Sequence, residues 1–435
     1  MRKAQKQEIL GLIDNLYQVQ EEIKKALEQN NLILAQDMIS GAQESAILLG
    51  EKIEKTEGEV NAAGPHRTVT CIEEYCELLF RVFEDINKNT VNVSKVQKLL
   101  RKQLIKIENS AKNDIAVRKE IVFFPYKASM WDSLESVWMA AGEDENCDAY
   151  VVPIPYYDKN PDGTLGEMHY DIDNYPDYVP VVSYKDYLIE ERKPDVIFIH
   201  NPYDGYNRIT SVPPQFFSKE LKRHTDKLVY IPYFVSGDTV PRHFCVLPGT
   251  MYADFVIVEN ETVRKIYVEE YEKATGKKGT GDKFIALGSP KFDRVARLSR
   301  EDFVLPDEWR NLIKNRKVIL YNTSVQNLLD YTEKVIKKIK NTIDIISKRD
   351  DVVLWWRPHP LTEYTLKSMK TDYFDQYMKI VEYYKKSGIG IYDDTADLER
   401  AISFSDAYYG DGGSVRVLYE KTGKPVMIQN PCLLG

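Results

Sequence analysis

Apolar residues recur every three or four positions through the first 112 or so residues. Ile9, Leu12, Leu16, Val19, Ile23 and Leu27 make one such row, and Asn30-Asn31 interrupts it. Met38, Ala42, Ala46, Leu49 and Ile53 resume the row up to Gly64-Pro65, and Ile72, Tyr75, Leu79 and Val82 follow. Val93, Val96, Leu100, Leu104 and Ile107 make the last row. That period places each row on one face of a helix, so four helices are predicted. They would pack as a bundle or as antiparallel coiled-coil hairpins. No residue among them stands in a pattern that carries chemistry. Two roles fit: assembly, as a homo-oligomer or with a partner protein, and a packed structural extension.

From Ile115 the period changes. Short apolar runs now alternate with helical stretches: Glu120–Phe124, Ala149–Ile154, Pro194–His200, Leu228–Tyr233, Phe255–Val258 and Phe284–Gly288. Met130–Ala140 and Tyr184–Glu191 read as helices, and the Asp-, Asn-, Pro- and Gly-rich stretch 156–177 reads as a loop. Strands alternating with helices predict a doubly wound, Rossmann-like parallel sheet over 115–297. Val304–Arg316 leads to a second such unit over 304–435. Its strands are Lys317–Ser324, Val352–Trp356, Gly388–Tyr392, Asp406–Tyr409 and Pro425–Gln429, with a helix over 328–348. Pro358 and Pro360 should close the second of these strands at once, because proline cannot continue a ladder. The sequence stops just past a strand, which reads as a shortened second domain. Two α/β sheets in series imply a cleft bounded by the carboxyl ends of strands.

The chemistry gathers at those ends. Arg357 and His359 follow one strand. Gly410-Asp411-Gly412-Gly413 follows another, and Ser414 stands where the next helix begins, so bare backbone N–H groups could meet phosphate oxygens there. A guanidinium, an imidazole and an anion cradle together outline a nucleotide-diphosphate site. Glu420, in the following helix, is a candidate ribose contact, weighed against a solvated helix face. Asp393, Asp394 and Asp397 read as a helix cap rather than a metal site, so no metal ligands are assigned.

Composition narrows the classes. A formal charge of −8 on 435 residues disfavours non-specific nucleic-acid binding. The 5 cysteines lack CxxC spacing and read as reduced and structural, in a cytoplasmic setting. No apolar run approaches the roughly 20 residues of a membrane span, so any membrane contact would be peripheral. Walker A, GxGxxG, HExxH and GxSxG patterns are missing, which removes support for ATPase, dehydrogenase, zincin and α/β-hydrolase readings.

Arg357-Pro358-His359-Pro360-Leu361, Ser405–Asp411 followed by Gly413-Ser414, and Gly423-Lys424-Pro425-Val426 together resemble the CDP-glycerol glycerophosphotransferase family of teichoic-acid polymerases. Gly288-Ser289-Pro290-Lys291-Phe292-Asp293-Arg294 resembles that family's Gly-x-Pro-(Arg/Lys)-x-Asp segment. The resemblance covers residues 115 to 430 and leaves out the N-terminal helices. It implies a GT-B-like pair of Rossmann-like domains, the second holding the donor. It also implies CDP-glycerol or a related CDP-polyol as donor, and a polymer, glycan or lipid-linked acceptor. The work would be done at the inner face of a bacterial membrane. On that basis Arg357 and His359 would face the donor diphosphate, and Gly412, Gly413 and Ser414 would hold its oxygens. Asp411 would lie close by to orient the loop, and Thr323 and Ser324 would lie beside the nucleotide. The family's Trp-His-Gly-Thr-Pro segment, which carries its proposed base, is replaced by Tyr230–Asp238 without histidine. His200 and Asp238 are therefore the candidate bases, with His359 as a further catalytic candidate. The alternatives are a nucleotide-sugar glycosyltransferase and a non-catalytic nucleotide-binding scaffold.

Overall fold

A computed structural model describes residues 1–57, 66–160, 162–395 and 397–430. The expected Gly64-Pro65 break and Cys432 lie outside the described residues. The chain divides into two compact units, residues 1–120 with 143–148, and 121–142 with 149 onward.

In the first unit, helices α1 (Lys3–Glu28), α2 (Leu32–Glu57), α3 (Arg67–Asn87) and α4 (Val93–Asn113) form a four-helix bundle. α1 and α3 each pack against both α2 and α4, which closes the ring. Asn30 takes the left-handed conformation after α1 (φ 54°), a geometry that asparagine tolerates better than most residues. The Asn92 side chain caps α4 by accepting from Lys95 N. The buried stripe of α1 runs through Ile9, Ile13, Leu16 and Ile23. Leu12, which the apolar row included, is 36% exposed and Ile13 takes its place. Some polar groups inside pair locally: Thr68 and Ser110 hydroxyls meet at 2.9 Å, and Gln103 Nε2 donates to Cys71 O at 2.8 Å.

The α/β part begins with β1 (Lys119–Phe124), β2 (Cys147–Val151), β3 (Tyr156–Lys159), β4 (Leu165–His169), β5 (Val196–Ile199), β6 (Thr210–Ser211), β7 (Lys227–Tyr230), β8 (Phe255–Val258) and β9 (Phe284–Ala286). Six of them form one sheet in the order β2-β1-β5-β7-β8-β9, and the pairings from β1 to β9 are parallel. β4-β3-β6 form a small antiparallel sheet, and two of its strands, β3 and β4, fall in the stretch expected to be a loop. Here turn chemistry outweighs polar composition. Asp162 Oδ1 accepts from Thr164 N at 2.9 Å and Gly163 sits at φ 86°, which folds the segment into a hairpin.

The second sheet uses β10 (Lys317–Thr323), β11 (Val352–Pro358), β12 (Ile391–Tyr392), β13 (Ala407–Gly410) and β14 (Val426–Ile428), in the order β12-β11-β10-β13-β14, all parallel. β11 extends through Pro358, further than the prolines alone suggested. Pro358 takes the last ladder position, where one missing N–H costs little, and His359 N then donates to Thr323 O at 3.0 Å. One apolar cluster joins the two α/β halves. Val235, Phe292 and Val295 of the first pack with Leu398, Val417, Leu418 and Tyr419 of the second. Two Rossmann-like sheets meeting in this way give the GT-B-like architecture.

Candidate functional site

The middle of the second sheet sets a three-strand corner. Asn322 at the end of β10 is in register with Arg357 on β11 and with Gly410 on β13. The sequence-predicted residues of the donor half therefore emerge from neighbouring strand ends, although their side chains do different things.

Gly412, Gly413 and Ser414 are exposed, and helix Ser414–Glu420 starts from this loop. Asp411 is buried and holds the loop from below. Its carboxylate accepts from Ser324 N at 2.6 Å and from Gln429 Nε2 at 2.6 Å, so it orients the loop and leaves the outer face to the glycines. Ser324 spends its hydroxyl capping the next helix through Asn327 N. Thr323 is buried and its Oγ1 has no hydrogen-bond partner. Glu420 is exposed and pairs with Arg416 at 2.5 Å, one helical turn away. His359 is exposed. Its Nδ1 accepts from Leu361 N at 3.1 Å, which puts the proton on Nε2, and partial burial lowers the ring's pKa.

Arg357 points elsewhere. Its guanidinium is buried, with one nitrogen on Asp393 at 2.7 Å and the other on the carbonyl of Thr395 at 2.6 Å. Asp393 also accepts from Trp355 Nε1 and Thr395 Oγ1, at 2.9 and 2.7 Å. The reason is positional: β12 lies beside β11 and delivers a fully buried carboxylate next to the arginine, and a buried charge takes the nearest partner. Of the acidic run, Asp397 caps the following helix through Arg400 N at 3.0 Å. Among the described residues no group of three His, Cys, Asp or Glu side chains could hold a metal ion.

At Gly410 the backbones of β10 and β13 lie close together. A Cβ there would lie 2.2 Å from Asn322 O and 2.9 Å from Asn322 N, both backbone atoms. Gly410→Ala is expected to spread the two strands, costing about 2–3 kcal/mol in urea denaturation. A loss below about 0.5 kcal/mol would show that the corner is looser than described.

The candidate bases of the first half separate. His200 is fully buried and both ring nitrogens are engaged: Nε2 accepts from Tyr126 N at 3.0 Å, and Nδ1 meets Ser133 Oγ at 2.9 Å. Burial, helped by the Lys291 charge, drives its pKa down to about 3. The ring is neutral and has no lone pair left for a substrate. Asp238 is exposed, beside Asn260 Nδ2 at 3.4 Å. Its neighbour Gly237 (φ 74°) abuts the helix that follows the glycine loop, so a Cβ at Gly237 would lie 3.1 Å from Val417 Cγ2 and 3.3 Å from an Arg416 nitrogen. Glu259 holds this segment by accepting from Gly237 N (2.8 Å) and Ser236 Oγ (2.9 Å), and its burial raises its pKa. The loop carrying Asp238 and the helix that Ser414 begins are thus brought together, while His200 is buried beneath Tyr126 and Tyr233.

Between the halves lies a cleft of about 510 Å³, lined by the segment after β1, the helix after β9 and the helices after β12 and β13. Its walls are ion-paired. Lys291 Nζ meets Asp132 at 2.5 Å, and Arg294 meets Glu399 at 3.0 Å and Glu135 at 3.9 Å. Tyr178 donates its hydroxyl to Glu135. Burial raises the pKa of Glu399. Lys291 and Arg294 fall in the motif 288–294, while their partners Asp132, Glu135 and Glu399 carried no signal. Each is one acid among many, and only the tertiary pairing marks it.

No family model and no curated protein matches this chain. Among solved structures it is similar to a putative UDP-N-acetylglucosamine 2-epimerase from Listeria monocytogenes, with 15% identity, 72% of this chain and 81% of that chain covered, and a TM-score of 0.46. It is similar to the Methanocaldococcus jannaschii UDP-GlcNAc 2-epimerase in complex with UDP-GlcNAc and UDP, with 12% identity, 71% and 83% covered, and a TM-score of 0.44. The wall teichoic acid polymerase TagF is also a neighbour, with 16% identity, 82% and 79% covered, and a TM-score of 0.39. The architecture rests on the chain's own two parallel sheets, and none of these likenesses bears on its chemistry.

Proposed function

We propose that this chain is a transferase of GT-B-like architecture that takes a nucleotide-activated donor, with CDP-glycerol or a related CDP-polyol as the first candidate. The observation that carries the reading is the corner where β10, β11 and β13 end in register. There the exposed Gly412–Ser414 loop follows β13 and His359, its Nδ1 bonded to Leu361 N, follows β11, with the end of β10 between them. Phosphoryl transfer depends mainly on positioning and on stabilising charge, which amides and an imidazole N–H supply.

In the proposed reaction an acceptor hydroxyl forms a bond to the β-phosphorus of the donor. The bond from that phosphorus to the bridging oxygen breaks, and CMP leaves with the electron pair. The acceptor proton passes to a carboxylate, and Asp238 is the assigned base because its loop abuts the helix after Ser414. The acceptor would be a cell-surface polymer, a glycan or a lipid-linked chain. The protein would work at the inner face of the membrane by peripheral contact, and the bundle would assemble it with itself or a partner. No helix among the described residues is long and apolar enough to cross a membrane.

A second reading, glycosyl transfer from a nucleotide sugar, draws on the carboxylate-lined cleft, since carboxylates suit sugar hydroxyls. The two differ in leaving group: CMP in the first and a nucleoside diphosphate in the second. A third, a non-catalytic nucleotide-binding scaffold, draws on the absence of histidine from 230–238 and the sequestration of His200. A thermal-shift panel of CDP-glycerol, CDP-ribitol, CMP and UDP-sugars should raise the melting temperature with CDP-polyols first. Asp238→Asn should then keep that shift while lowering CMP release by about 100-fold, the usual weight of a positioned base. Unchanged release would remove Asp238 from the mechanism, and no shift with any cytidine nucleotide would overturn the donor assignment.

A further inference from the structure

The charge of the cleft selects its occupant. Asp132, Glu135, Asp397 and Glu399 face it against Lys291 and Arg294, and both cations are already paired with carboxylates. With Arg400 also held by Asp397 at 3.7 Å, an incoming anion would find each of these cations already paired and carboxylates in excess, which repels it across a few ångströms. A neutral hydroxyl-rich ligand meets the opposite situation, because carboxylate oxygens accept hydrogen bonds from pairs of hydroxyls. Trp131 also lines the cavity and is 3% exposed. Tyr178, with its hydroxyl held by Glu135, offers an aromatic wall of the kind that packs against a sugar ring.

We propose that this cleft binds a neutral saccharide, whose hydroxyls are read by the four carboxylates, and that it discriminates against phosphate-bearing acceptors. The inference rests on the transferase reading for calling that saccharide the acceptor, and on the cleft alone for its chemical class.

The test uses the full chain, saturation-transfer NMR and two probes, methyl β-glucopyranoside and glycerol 3-phosphate. The glycoside should bind at least about tenfold more tightly than the phosphate, one charge-assisted hydrogen bond being worth that much. In the Asp397→Asn/Glu399→Gln variant the ratio should shrink, as the phosphate gains and the glycoside loses. Asn still caps the helix at 397, and the CDP-glycerol thermal shift checks that the variant is folded. Tighter binding of glycerol 3-phosphate to the wild type would overturn the inference and leave the transferase reading standing. So would silence from both probes while CDP-glycerol still raises the melting temperature. Glycoside binding without any nucleotide response would uphold the cleft's ligand class and remove its role as an acceptor site.

Discussion

Asp393→Ala should cost about 3–5 kcal/mol of stability in chemical denaturation, the usual penalty for stripping a buried charge of its partner. Arg357 would keep a buried guanidinium bonded only to the Thr395 carbonyl, and Trp355 Nε1 and Thr395 Oγ1 would lose their acceptor as well. Replacing both charges, as Asp393→Leu/Arg357→Met, should recover part of that loss, since apolar residues can replace a buried pair with little penalty, while Trp355 Nε1 and Thr395 would still lack the carboxylate. A cost below about 1 kcal/mol for Asp393→Ala would mean that Arg357 swings readily to solvent. The double variant also bears on the donor. If it folds and still responds to CDP-glycerol, Arg357 shapes the corner without touching the diphosphate. If the response disappears, donor binding needs the buried pair intact.

Acid should unfold this protein partly through one histidine. His200 titrates at about 3 in the folded chain against an ordinary 6.5, because full burial disfavours the charged ring. The sign follows from linkage. The contribution is complete above pH 6.5, where both states are neutral, and declines as pH falls from 6.5 toward 3, where only the unfolded chain takes up the proton. At about 1.4 kcal/mol per pH unit, some 2–3 kcal/mol should be gone by pH 4.5. His200→Gln removes the titrating group. Its stability at pH 7.5 will be lower, but its loss between pH 7.5 and 4.5 should be smaller than the wild type's by that amount. Parallel pH profiles for the two proteins would rule this out.

The periodic parts of the chain were legible in advance, and the paired parts were not. Four helices, two parallel sheets and the glycine loop follow from local pattern, because a repeat of 3.6 or a buried run leaves few other solutions. The hairpin at 156–169 was hidden by its polar composition, although Asp162-Gly163 carries a turn signal. Arg357 was read as free because its counter-ion lies 36 residues away, just after a two-residue strand that only the sheet order brings alongside. His200 has the local look of a strand-end catalytic residue, and what removes it is a serine and an amide from the segment after β1. The acids of the cleft were invisible for the same reason. Whether a carboxylate is solvated or faces an arginine is decided by topology.

Because Val235 and Val295 pack with Val417, Leu418 and Tyr419 in one apolar cluster, swinging the α/β halves apart along this seam would expose apolar surface that is now covered. Packing of that kind permits small sliding displacements of helices more readily than wide rotation. Loading of the glycine loop would therefore be felt across the seam at Gly237 as a shift of fractions of a helical turn. Substrates would enter through a standing mouth, and little would have to open before turnover.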